Sequence, residues 1–77
     1  MSRLDGQTVA VVTHPDGTPF LVNGQEVLHV HKTYREFIGA LEGKPKIQVW
    51  KVETHSSLME LHYNLITKTW TLAREED

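Results

Sequence analysis

Histidines and carboxylates are the side chains of this chain with the clearest chemistry. There are five histidines, and His29 and His31, two positions apart, share a face if they lie on a strand. With His62 they make three imidazoles of the kind that bind zinc, a metal that needs three or four converging ligands and partners that orient them. Nothing in the spacing directs His29 and His31 toward His62. The plainer reading is histidines at strand ends and on a polar face, and no metal is assigned. Glu53 and Glu60 are the second candidate, because they face each other if residues 55–58 form a hairpin connection, and two close carboxylates can share a proton as acid and base. An open sheet face with Lys51 and His62 nearby relieves their repulsion and has no pocket to shift either group. There is no cysteine, no nucleophile elbow and no Gly-rich phosphate loop. Neither catalytic residues nor a cofactor are expected.

The third candidate is electrostatic. Net charge is −2, yet residues 32–51 carry a net +3, from Lys32, Arg35, Lys44, Lys46 and Lys51 against Glu36 and Glu42. Such a stretch can track a phosphate backbone, with aromatic rings for bases to stack on. The aromatics best placed for stacking are also those a small core requires, which leaves Tyr34 and Phe37 to spare.

The elements that must position these groups read mostly as strands. At 77 residues there is room for one small domain with an economical core. Residues 8–13 are rich in β-branched types, His14-Pro15-Asp16-Gly17 has turn chemistry, and residues 18–22 follow as a strand. Asn23-Gly24 is a two-residue hairpin signal, so residues 25–31 are expected to return antiparallel, with Val22 opposite Gln25, Phe20 opposite Val27 and Thr13 opposite Thr18. That register puts Val9, Val11, Phe20, Val22 and Val27 on one face.

Residues 47–54, 59–64 and 69–74 read as a second meander. Its expected rows are Trp50–Tyr63–Trp70 and Val52–Leu61–Leu72 on one face, with Lys51, His62 and Thr71 on the other. Between the meanders, Tyr34, Phe37, Ile38 and Leu41 fall at helical spacing behind a Thr33-x-x-Glu36 capping box, which predicts one short helix near residues 34–42. The expected fold is mainly β (α+β): about six short strands in two meanders, as a small antiparallel sheet or partly open barrel. Residues 1–7 are expected to fray and residues 75–77 to form a solvated acidic tail. The absence of cysteine and of any long apolar run fits a cytoplasmic protein.

Several motifs together call up a family. Asp16-Gly17-x-Pro19-x-x-Val22-x-Gly24, a strand ending near Arg35, Trp50-x-Val52-Glu53, and Glu60-Leu61-x-Tyr63-Asn64-x-x-Thr67-x-x-Trp70-x-Leu72 resemble a small bacterial β domain of unknown function. That domain is found alone or at the C-terminal end of catalytically degenerate Y-family polymerase-like proteins of damage tolerance. The likeness spans about residues 15–74. Tyr34 stands where that family usually has tryptophan, and Lys68 where it usually has glycine. The resemblance implies an accessory role connected with DNA repair, without a set of site residues to carry over.

The functional expectation is a non-enzymatic protein-interaction or accessory module. Ile47, Val49, Leu58 and Ile66, on the otherwise polar face or in its turns, are the expected apolar patch for a protein partner or a second copy. The open edge at residues 8–13 offers another route to a homodimer. The alternative is nucleic-acid binding through Lys32, Arg35, Lys44, Lys46 and Lys51.

Overall fold

Each hairpin is set by its turn. Asn23 and Gly24 have φ of 50° and 83°, the two positive values of a type I′ turn, and Val22 pairs with Gln25 as expected. Asn23 also ties down the strand beside it: its amide donates to the Ala10 carbonyl (2.7 Å) and its Oδ1 accepts the Ala10 amide (3.0 Å). At the Pro15-Asp16 turn, Gly17 takes φ of 94° and its amide donates to the His14 carbonyl at 2.9 Å. Asp16 Oδ1 accepts the Thr18 amide at 2.9 Å, and this bond to the backbone of Thr18 is the main cause holding the Asp16 carboxyl below its ordinary value. In the last turn Asn64 Oδ1 accepts the amides of Ile66 and Thr67. Lys68 there adopts φ of 63°, the conformation for which glycine is the natural choice.

The computed structural model describes residues 7–36 and 46–76. The strands are β1 (Gln7–Thr8), β2 (Val11–Thr13), β3 (Pro19–Val22), β4 (Gln25–Glu26), β5 (His29–Glu36), β6 (Ile47–Glu53), β7 (Leu58–Asn64) and β8 (Thr69–Glu76). They form two open antiparallel sheets, one in the order β1-β8-β7-β6-β5 and the other β2-β3-β4. The described residues form an all-β fold that is not a closed barrel. They make eight strands, where about six were expected, because the chain changes sheets twice.

The first change falls at Val9 and Ala10. Val9 donates to the Trp70 carbonyl of the larger sheet (3.3 Å), whereas Ala10 bonds to Asn23 in the smaller. The second falls at Val27 and Leu28, whose amides reach Phe20 (3.0 Å) and Glu53 (2.8 Å) respectively. Residues 25–31 are therefore not one returning strand. β4 ends at Glu26, and the chain from His29 onward pairs with β6.

The expected helix is overturned where the structure can be read. Thr33, Tyr34, Arg35 and Glu36 are strand residues paired with Trp50, Val49, Gln48 and Ile47, and among the described residues there is no helix. Thr33 spends its hydroxyl on the Val49 carbonyl (2.8 Å) instead of capping a helix. A short helix with few contacts of its own is marginal, and the unpaired edge of β6 offers residues 29–36 a full ladder of hydrogen bonds. The remaining residues of the expected helix, 37–42, lie outside the described residues.

The core lies between the sheets. Val22 of the smaller sheet meets Val52, Met59, Leu61 and Leu72 of the larger, with Val9 at the crossing and Val11, Val27, Val30, Trp50 and Trp70 partly buried around them. The expected face of the second meander is correct, but one register is not. Tyr63 stands opposite Trp70 and Leu61 opposite Leu72 as expected, with the Tyr63 and Trp70 rings 4.8 Å apart. On the other side, Trp50 stands opposite Leu61 and Val52 opposite Met59. The β6–β7 connection is residues 54–57, closed by the Thr54 amide on the Ser57 carbonyl (2.9 Å). The slip equals two residues, so every side chain keeps its face while changing its partner.

Three bulges depart from plain alternation. Thr13 pairs with Pro19 and Val12 with Leu21, which leaves Phe20 as an extra residue and overturns the pairing of Thr13 with Thr18. Pro19 is fully buried, while Phe20 is 39% exposed and turns onto the His14 ring. His31 is the extra residue between the Val30–Val52 and Lys32–Lys51 pairs. Ala73 is extra between the Leu61–Leu72 and Glu60–Arg74 pairs. Of the expected acidic tail, Glu75 and Glu76 belong to β8, where Glu75 accepts the Ser57 hydroxyl at 2.8 Å and Glu76 is exposed, and Asp77 lies outside the described residues. At the other end Gln7, expected to fray, pairs with Leu72.

Candidate functional site

The outer face of the five-stranded sheet gathers the charged candidates. Alternation from the observed registers puts Lys32 and Tyr34 of β5, Lys51 and Glu53 of β6, Leu58, Glu60 and His62 of β7, and Arg74 and Glu76 of β8 on that side. Glu53 and Glu60 do not face each other. Glu53 stands opposite Leu58, and Glu60 opposite Lys51. Each carboxylate has its own imidazole: His31 Nε2 lies 2.9 Å from Glu53 Oε1, and His62 Nε2 lies 2.7 Å from Glu60 Oε2. Lys51 Nζ is 4.0 Å from Glu60. The shared-proton pair considered from the sequence is absent for that reason.

His29 and His31, two apart on β5, share a face by plain alternation, and the two rings meet edge to face with centroids 4.5 Å apart. His62 does not join them; its partner is Glu60. The bulge at His31 acts on the next residue, bringing Lys32 opposite Lys51 on that same face. The same face also opens into a groove of about 240 Å³ that crosses β5 to β8 and is lined by His31, Lys51, Leu58, Glu60, Arg74 and Glu76. Its floor is apolar and its rim carries both signs of charge.

The five basic candidates are divided. Lys32 and Lys51 are direct cross-strand neighbours, and Lys32 Nζ sits 5.5 Å from the centre of the Tyr34 ring. Arg35 belongs to the opposite face, where its Nε donates to Gln48 Oε1 at 2.9 Å. Lys46 is partly buried where β5 meets β6, its amide bonded to the Glu36 carbonyl (3.0 Å). Lys44 lies outside the described residues.

The expected apolar patch breaks up as well. Val49 is fully buried, although it lies on the outer face between Tyr34 and His62. Ile47 is partly buried, and Leu58 (45% exposed) and Ile66 (65%) stand at opposite ends of β7. A different patch takes its place on the outer face of the smaller sheet. Val12, 52% exposed, pairs with Leu21, and Phe20 is thrown out beside it by the bulge. The sequence carried one sign of this. Proline in a strand marks an edge or a bulge, and Pro19 begins the central strand of its sheet.

Comparison with known proteins adds no relative: no family model, no curated protein and no solved structure matches the chain.

Proposed function

We propose that the chain is a non-enzymatic interaction module that docks a protein partner, or a second copy of itself, on the outer face of the three-stranded sheet. The observation that carries this reading is the apolar set Val12, Leu21 and Phe20. A domain this small has every reason to bury an aromatic ring, yet the bulge in β3 gives the inner position to Pro19 and places Phe20 outside. Contiguous exposed apolar side chains are the usual mark of an interface. Val12→Asp/Phe20→Asp keeps the core intact and removes the surface. Immobilised wild-type and double-variant chains, compared as baits in host lysate and by sedimentation over a concentration range, test the proposal. A partner or self-association present with wild type, retained at high salt and lost with the variant supports it. Identical behaviour of the two chains refutes it.

A second reading rests on Lys32 opposite Lys51 with Tyr34 beneath Lys32, on the outer face of the larger sheet. Like charges directly opposed are unfavourable unless something anionic meets them. Together with the resemblance to a domain of damage-tolerance proteins, this favours contact with single-stranded nucleic acid as the alternative. Fluorescence anisotropy with a labelled oligonucleotide at low and physiological salt tests it. Saturable binding that weakens with salt and is lost on Lys32→Glu/Lys51→Glu places this reading first.

A further inference from the structure

We propose that His29, His31 and Glu53 form a binding site for one zinc ion or a similar divalent transition metal, with a coordination position left open to solvent. Two strands supply the ligands. His29 is the direct cross-strand partner of Glu53, and His31, two residues on and so on the same face, already holds Glu53 Oε1 2.9 Å from its Nε2. The His29 and His31 rings are in contact, with centroids 4.5 Å apart and planes at 75°. Two imidazoles and one carboxylate are the donor set of three-ligand zinc sites, in which water takes the fourth place.

The distances suit an ion. With metal–ligand bonds of about 2.0–2.2 Å, two ligand atoms of a tetrahedral site stand roughly 3.3 Å apart. His31 Nε2 and Glu53 Oε1 need only separate by a few tenths of an ångström for an ion to replace the hydrogen bond, with the imidazole proton carried on Nδ1. Both side chains are 45% exposed, so the ion has a path in. As the side chains stand, no three His, Asp or Glu residues among the described residues are placed to hold a metal ion. His29, exposed on its strand, completes the set by turning about its side-chain bonds. The other imidazole–carboxylate pair, His62 with Glu60, lacks a second imidazole and has the Lys51 ammonium 4.0 Å from Glu60, which opposes a cation.

The experiment is calorimetric titration of the whole chain with zinc chloride, with the histidine ring signals followed by NMR. The expected result is one ion per chain, with the His29 and His31 signals moving and those of His14, His55 and His62 staying in place. His29→Ala and Glu53→Gln should each weaken binding by about tenfold or more. Absence of saturable binding overturns the proposal, as does a response centred on His62 or His55, or an affinity unchanged by either variant. The wild-type NMR titration locates the ion by itself, so the result does not depend on the variants folding.

Discussion

Val27 and Leu28, neighbours in the chain, send their amides to different sheets: Val27 to the carbonyl of Phe20 and Leu28 to that of Glu53. This one step makes a two-layer fold from what would otherwise be a single long meander. Proline at either position deletes one donor, and each variant should lose about 1–3 kcal/mol in urea unfolding. Full stability in Leu28→Pro would show that the crossing is not held at this bond.

The exchange of Pro19 for Phe20 at the inner position of β3 predicts an inverted cost of truncation. Leu61 is fully buried at the centre of the core, and Leu61→Ala should cost about 2–5 kcal/mol. Phe20→Ala removes a larger side chain but an outward one, and should cost under about 1 kcal/mol. Chemical denaturation of both variants checks the order, and a Phe20 loss as large as that of Leu61 would place its ring in the core.

Lys68 pays a conformational penalty that glycine would avoid. Its φ of 63° costs an L-residue about 1–2 kcal/mol, part of which glycine returns through its freer unfolded chain. Lys68→Gly should raise stability by about 0.5–1 kcal/mol, read as a higher denaturation midpoint with an unchanged slope. A destabilised variant would mean that the lysine side chain contributes more than its backbone costs.

Asp16 gives a pH signature. Its carboxyl titrates below the ordinary value of 3.8, first because of the bond from the Thr18 amide. A folded-state value below the unfolded one means that the contribution is complete above the unfolded value and is lost as pH falls through the folded one. Urea midpoints of wild type and Asp16→Asn should therefore fall differently below about pH 4, with wild type losing the additional increment. Parallel profiles would remove the Asp16–Thr18 bond as a source of stability.

Local chemistry was legible wherever neighbours in the chain decide it. The type I′ turn at Asn23-Gly24, the pairing of Tyr63 with Trp70 and the apolar face of β6, β7 and β8 all follow from turn residues and period-two alternation. The slip that put Trp50 opposite Tyr63 came from placing a four-residue turn one residue late. The face survived because the error was even.

What the tertiary structure alone decided is where alternation breaks and which edge a strand joins. A helical spacing from Tyr34 to Leu41 is a local preference, whereas the free edge of β6 offers hydrogen bonds that no local signal reports, and Thr33 and Tyr34 pair there. Bulges at Phe20, His31 and Ala73 are equally silent in the pattern, because each inserts one residue without changing composition. Yet these shape the two surfaces on which the proposals rest. One bulge puts Phe20 on the surface, and another sets Lys32 opposite Lys51. Turn chemistry acts through a few adjacent dihedrals and is written in the sequence, while partner choice depends on surfaces that exist only once both sheets have formed.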